Sequence, residues 1–79
     1  MNNTKEMPDF KAMAKRAIKL ALVRHDMTYG DLIARLAEHG IEEKEGALRN
    51  KISRGTFTAA YFLQLLWVMG ECTVEIRSK

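Results

Sequence analysis

Apolar residues recur along this chain in four helical stretches and one short alternating one. Phe10, Met13, Ala14, Ala17, Ile18, Ala21 and Leu22 follow the three- and four-residue spacing of a single helix face. Lys11, Lys15 and Lys19 line another side of the same stretch. The pattern predicts an amphipathic helix over about residues 9–25, entered through Pro8 and Asp9. Thr28 followed by Asp31 then has the form of a capping box, and Met27 and Leu32 stand where a hydrophobic staple needs its two partners. Leu32, Ile33, Leu36 and Ala37 share one face, and Gly40 is a natural stop, so a second helix is predicted from Tyr29 to His39.

A third helix is predicted from about Glu43 to Arg54, closed by Gly55. Its acidic start and basic end both suit the helix dipole. Only Leu48 and Ile52 are strongly apolar in it, and they share a face. Thr58 offers the next cap, with Phe57 and Phe62 as the staple. Ala59 to Met69 is nearly all apolar, with Gln64 as the exception at the rim, and such a helix belongs at the centre of a small core. In the tail, Cys72, Val74 and Ile76 alternate with Thr73, Glu75 and Arg77, which reads as a strand. The expected fold is therefore all-α, with four helices and a short C-terminal β-strand. Residues 1–8 form a loose N-terminal arm and residues 9–79 one domain, without repeat or linker.

Composition narrows the function. Seventy-nine residues, 47% hydrophobic and 29% charged, suit one small soluble domain and leave no room for a deep, multi-layered cleft. Cys72 is the sole cysteine and cannot form an internal disulfide; with no signal peptide in view, this points to the cytoplasm. The apolar run in the fourth helix is too short for a bilayer, so no membrane partner is expected. His25 and His39 stand in no metal-binding spacing, and Gly-rich phosphate loops, nucleophile motifs and dinucleotide fingerprints are missing. No cofactor, no metal and no enzymatic activity are therefore expected. Glu42, Glu43 and Glu45 read as a solvated helix start, and His39 as a cap near a helix end.

The net charge of +3 is mild, but its placement is uneven. Residues 1–25 hold six basic and two acidic side chains; residues 26–46 hold two basic and six acidic ones. Residues 47–60 then carry Arg49, Lys51 and Arg54 with no acid. An acid-free basic stretch suits a surface that meets phosphate. With the buried face of the third helix centred on Leu48 and Ile52, its outward face holds Gly46, Ala47, Asn50, Ser53 and Arg54, flanked by Arg49 and Lys51. Gly46 and Ala47 permit close approach of the first turn. Asn50 suits adenine, Arg49 or Arg54 suits guanine, and Lys51 can reach phosphate. The partner so indicated is double-stranded DNA, read in the major groove.

The order of helices strengthens this reading, and here the chain resembles the Cro/repressor-type (lambda-repressor-like) helix-turn-helix family over about residues 18–70. The resemblance rests on "HDMTYGDLIARLAEHGI", on "ISRG" at the end of the third helix and on "FTAAYFLQLL" opening the fourth. Within that class it looks most like small bacterial members with "NKISRG" before an aromatic-rich fourth helix. The resemblance implies a bacterial or phage transcriptional regulator. It places Tyr29, at a position where Gln is common, near the DNA backbone, and matches the recognition helix to Lys44–Ser53. Lys44, Ala47, Arg49, Asn50 and Lys51 become the expected readers, and Ser53 joins them as an expected DNA contact. Arg54 and the backbone amides at Phe57 and Thr58 match a phosphate-binding turn, which also has a physical basis in the attraction of helix N-termini for anions, and Thr56 and Thr58 are counted among the expected DNA contacts. The stretch between Gly40 and Gly55 is longer than the family pattern.

A lone strand leaves backbone groups unpaired. The expected remedy is a homodimer in which Thr73, Val74, Glu75, Ile76 and Arg77 pair with the same strand of a second copy. A rival reading is a protein-interaction module, antitoxin-like or adaptor, that keeps the fold and binds a protein instead; the acids from Glu38 to Glu45 favour it.

Overall fold

A computed structural model describes residues 7–74 of the chain. Its four helices are α1 (Phe10–Arg24), α2 (Tyr29–Glu38), α3 (Glu45–Arg54) and α4 (Ala59–Met69). Each helix begins where a side chain can satisfy its first N–H groups, except the third. Asp9 accepts from the Ala12 N–H at 3.1 Å and opens α1. Thr28 and Asp31 form the expected reciprocal box, with Asp31 N–H donating to Thr28 Oγ1 at 3.0 Å and Thr28 N–H donating to Asp31 Oδ2 at 2.9 Å. Thr58 Oγ1 accepts from Tyr61 N–H at 3.0 Å and opens α4, while Phe57 and Phe62 stack with ring centroids 5.8 Å apart.

Three helix ends share one geometry. The sixth N–H returns to the first carbonyl in Met27→Leu22, Ile41→Leu36 and Glu71→Leu66, the bond of a Schellman ending. The left-handed residue it needs is Asp26, Gly40 or Gly70. The end of α3 differs because it is also a packing site. Gly55 takes φ +67°, and a Cβ there would stand 3.2 Å from the Lys11 backbone oxygen and 3.1 Å from Lys15 Cδ. Only glycine lets the turn after α3 lie this close to α1.

The core is a single cluster. Ile18, Ala21 and Leu22 of α1 meet Leu32 and Leu36 of α2, Leu48 and Ile52 of α3, and Leu65, Leu66, Val68 and Met69 of α4. Helix α4 packs on both α1 and α2, as its apolar character predicts, and α3 rests on the same two helices. No polar side chain is buried among the described residues. Arg35 of α2 donates to the Val68 carbonyl at 2.9 Å, covering one of the carbonyls that the last turn of α4 leaves open. Arg24 and Glu71 form an ion pair that ties the end of α1 to the residue after α4, with His25 Nε2 3.6 Å from the same carboxylate.

The structure departs from expectation in three places. The first concerns the strand: residues 71–74 belong to none, and no strand exists among the described residues. Glu71 is folded back by its bond to Leu66 and its pairing with Arg24, so the chain leaves α4 without a neighbour for Thr73 and Val74 to pair with. Glu75, Ile76 and Arg77 lie outside the described residues. The second concerns the start of α3, which is at Glu45, two residues later than predicted. Phe10, expected on the apolar face of α1, is half exposed. Among the described residues no helix is long and apolar enough to cross a membrane.

Candidate functional site

Helix α3 turns Leu48 and Ile52 into the core and leaves Gly46, Ala47, Asn50, Ser53 and Arg54 exposed, as its periodicity predicts. Lys44 is also exposed but is not helical: it is the residue before α3, with an extended backbone and no side-chain capping bond. The two flanks of the helix carry matching devices. On one, the Arg49 guanidinium lies over the Tyr29 ring, 4.4 Å from its centroid, and donates to Glu45 Oε2 from Nε at 3.0 Å and from Nη2 at 2.8 Å. On the other, the Lys51 ammonium lies 4.7 Å from the centroid of the Tyr61 ring and donates to both oxygens of Glu43 at 3.1 and 3.3 Å. Each flanking cation is thus held between an acid and an aromatic face, two attractions that combine Coulombic and ring-quadrupole terms.

Glu43 explains the late start of α3. Its side chain is only 11% exposed, and the Tyr61 hydroxyl also donates to it at 3.1 Å. The carboxylate leaves the helix start to collect three donor bonds, so it is no solvated residue. Burial, and then the adjoining Glu43 carboxylate, push the Tyr61 phenol well above its ordinary pKa, so the hydroxyl stays a donor.

Where α3 ends, Asn50, Lys51, Arg54, Thr56, Phe57, Thr58 and Tyr61 line an open cleft of about 290 Å³. Five expected site residues, Asn50, Lys51, Arg54, Thr56 and Thr58, thus share one concavity. Tyr29 and Arg49 sit on the opposite flank, and Lys44 and Ala47 lie towards the other end of the helix. Two sources of positive potential meet at the cleft corner, and two lysine stems adjoin it. Arg54 closes α3; the first N–H groups of α4 point out past Thr58; and Lys11 and Lys15 of α1 lay their stems against Gly55 next door.

Sequence reasoning missed Glu43 and Tyr61 as parts of this surface. The Glu45–Arg49 pair carries a readable signal, since residues four apart share a helix face. Glu43, Lys51 and Tyr61 carry none, because only the tertiary fold brings them together. His39 closes α2 as expected, and its ring also packs edge-on against Trp67 at 4.8 Å.

These features define a small all-helical domain whose third helix presents an open polar face between two clamped cations. Residues 10–74 match the family model described as "Domain of unknown function (DUF6471)", and the chain belongs to that family. No curated protein and no solved structure matches it.

Proposed function

We infer that the protein is a sequence-specific DNA-binding protein, a transcriptional regulator that lays α3 in the major groove. The observation that carries this reading is the corner at Gly55. There Arg54, the stems of Lys11 and Lys15 and the N-terminus of α4 adjoin the exposed amide of Asn50. A phosphate seated at that corner would face Arg54 and the N-terminus of α4, while Asn50 and the small residues Gly46 and Ala47 face the base edges. The helix-turn-helix resemblance of the sequence supports the same reading, with Thr56 and Thr58 at the phosphate turn. A homodimer is part of the proposal, since two-fold helix-turn-helix regulators read half-sites one helical turn apart.

The test is selection of bound duplexes from a random pool, followed by a salt titration of the winner. An enriched palindrome whose affinity falls with salt supports the reading; Asn50→Ala with Arg54→Ala should then abolish binding while the circular dichroism spectrum is retained. An empty selection refutes it. One observation favours the rival, a protein-binding module: Glu43 and Glu45 offset the charges of Lys51 and Arg49. Such a module would show no salt-dependent nucleic-acid binding.

A further inference from the structure

We propose that Arg49 is the guanine-reading side chain of α3, and that Glu45 and Tyr29 are the residues that position it. The proposal rests on the DNA-binding reading and adds to it which base is read and how the reader is held. Three basic residues of this surface can be compared directly. Lys51 presents a compact ammonium whose donors are already directed at Glu43 and which carries no planar fork. Arg54 closes α3 beside the phosphate-like corner, with no ion pair among the described residues to fix its guanidinium. Arg49 alone is both planar and fixed.

Its fixation is selective. Glu45 Oε2 occupies one edge of the guanidinium, through Nε and Nη2, and Tyr29 occupies one face. The remaining fork, Nη1 with the second Nη2 hydrogen, is left for an outside partner, and the side chain is 57% exposed. That fork matches two adjacent acceptors, and guanine N7 and O6 present such a pair in the major groove. The acid is itself well placed. Glu45 Oε1 lies 3.8 Å from where a Cβ on Gly30 would stand, so the carboxylate sits over the first turn of α2 and is favoured by that helix dipole. Offsetting the charge of Arg49 weakens a purely Coulombic pull on phosphate, whereas fixing its plane favours a contact that depends on geometry. A freely rotating Arg would serve phosphate as well.

The experiment uses the full chain, its selected duplex, and a panel of that duplex with each base pair changed singly. Wild type should require a G·C pair at one position, with about tenfold loss or more when it is replaced. Arg49→Lys, which keeps the charge, should remove that preference and leave discrimination at the other positions intact. Glu45→Gln and Tyr29→Leu should reduce discrimination at that same position, and should add nothing in the Arg49→Lys background. Arg49 and Glu45 are substantially exposed, and Tyr29→Leu keeps an apolar side chain where half-buried Tyr29 packs on the core; circular dichroism checks that each variant is folded before its discrimination is read. If Arg49→Lys keeps the G·C requirement, or if Arg49→Ala weakens all duplexes alike and lowers the salt slope by about 0.9, Arg49 grips phosphate and the inference is overturned while DNA binding stands. If wild type selects no duplex at all, DNA binding and this inference fall together.

Discussion

The close packing at Gly55 makes a quantitative prediction about two glycines that look alike in sequence. Both Gly40 and Gly55 follow a helix and take positive φ, at +79° and +67°. Replacing either with Ala incurs left-handed strain of about 1–2 kcal/mol. At Gly40 that is the whole effect, because nothing lies within 4 Å of the new methyl. At Gly55 the methyl meets the Lys11 backbone oxygen and Lys11 Cβ at 3.2 Å, besides Lys15 Cδ at 3.1 Å. The lysine stem can swing aside, but the carbonyl and Cβ are fixed in α1, so the turn must lift from it. Overpacking of this kind adds about 1–3 kcal/mol. Gly40→Ala should thus lower the melting temperature by about 4–8 °C for each kcal/mol lost, and Gly55→Ala by about twice as much or more. Urea denaturation followed by circular dichroism, with unchanged m-values, measures the difference. Equal losses in the two variants would show that α1 does not press on the end of α3, and would remove the lysine stems from the proposed corner.

Other outcomes follow from single side chains. Ile52→Ala opens a cavity beneath α3 and should cost about 2–5 kcal/mol in chemical denaturation. Thr28→Ala removes the α2 cap and should cost about 1 kcal/mol. The Thr28 N–H, and then its hydroxyl, hold the Asp31 carboxyl below its ordinary pKa, so that bond stabilises the fold above about pH 4 and is lost as pH falls through the depressed value. Asp31→Asn should accordingly flatten the acid limb of a stability-against-pH curve. Gly46→Ala meets nothing within 4 Å and should stabilise the domain by up to about 1 kcal/mol, yet weaken duplex binding if the first turn of α3 must approach DNA closely; a melting curve and a titration together decide.

What could be read from the sequence was local chemistry. Thr28, Thr58 and the glycines after α2, α3 and α4 marked the elements, because caps act within a few residues. Leu48 and Ile52 gave the phase of α3, and with it the exposed set from Gly46 to Arg54. Distant pairings were hidden. Glu43 reads as a good first-turn acid and so predicts too early a start for α3, whereas Lys51, eight residues on, and Tyr61, eighteen on, draw it away. Phe10 shared the apolar period of α1, but periodicity does not tell how far along a helix its neighbours reach. The alternation after Gly70 looked like a strand, and a strand also needs a partner, which local pattern cannot supply. Clamping of Arg49 and Lys51 was half legible, through the spacing of Glu45, while the two tyrosine rings were not.

Helices α2 and α3 each put two buried side chains into the core, against three in α1 and four in α4, and α3 alone begins without a side-chain capping bond. Local opening free energy follows such burial and capping, so α3 should be the first helix to exchange its amide hydrogens with solvent. The helix that offers the working face is then also the least expensive one to loosen. Any partner that lies along Asn50 and Arg54 must order it, and slowed exchange confined to residues 45–54 would map the contact without knowledge of what the partner is.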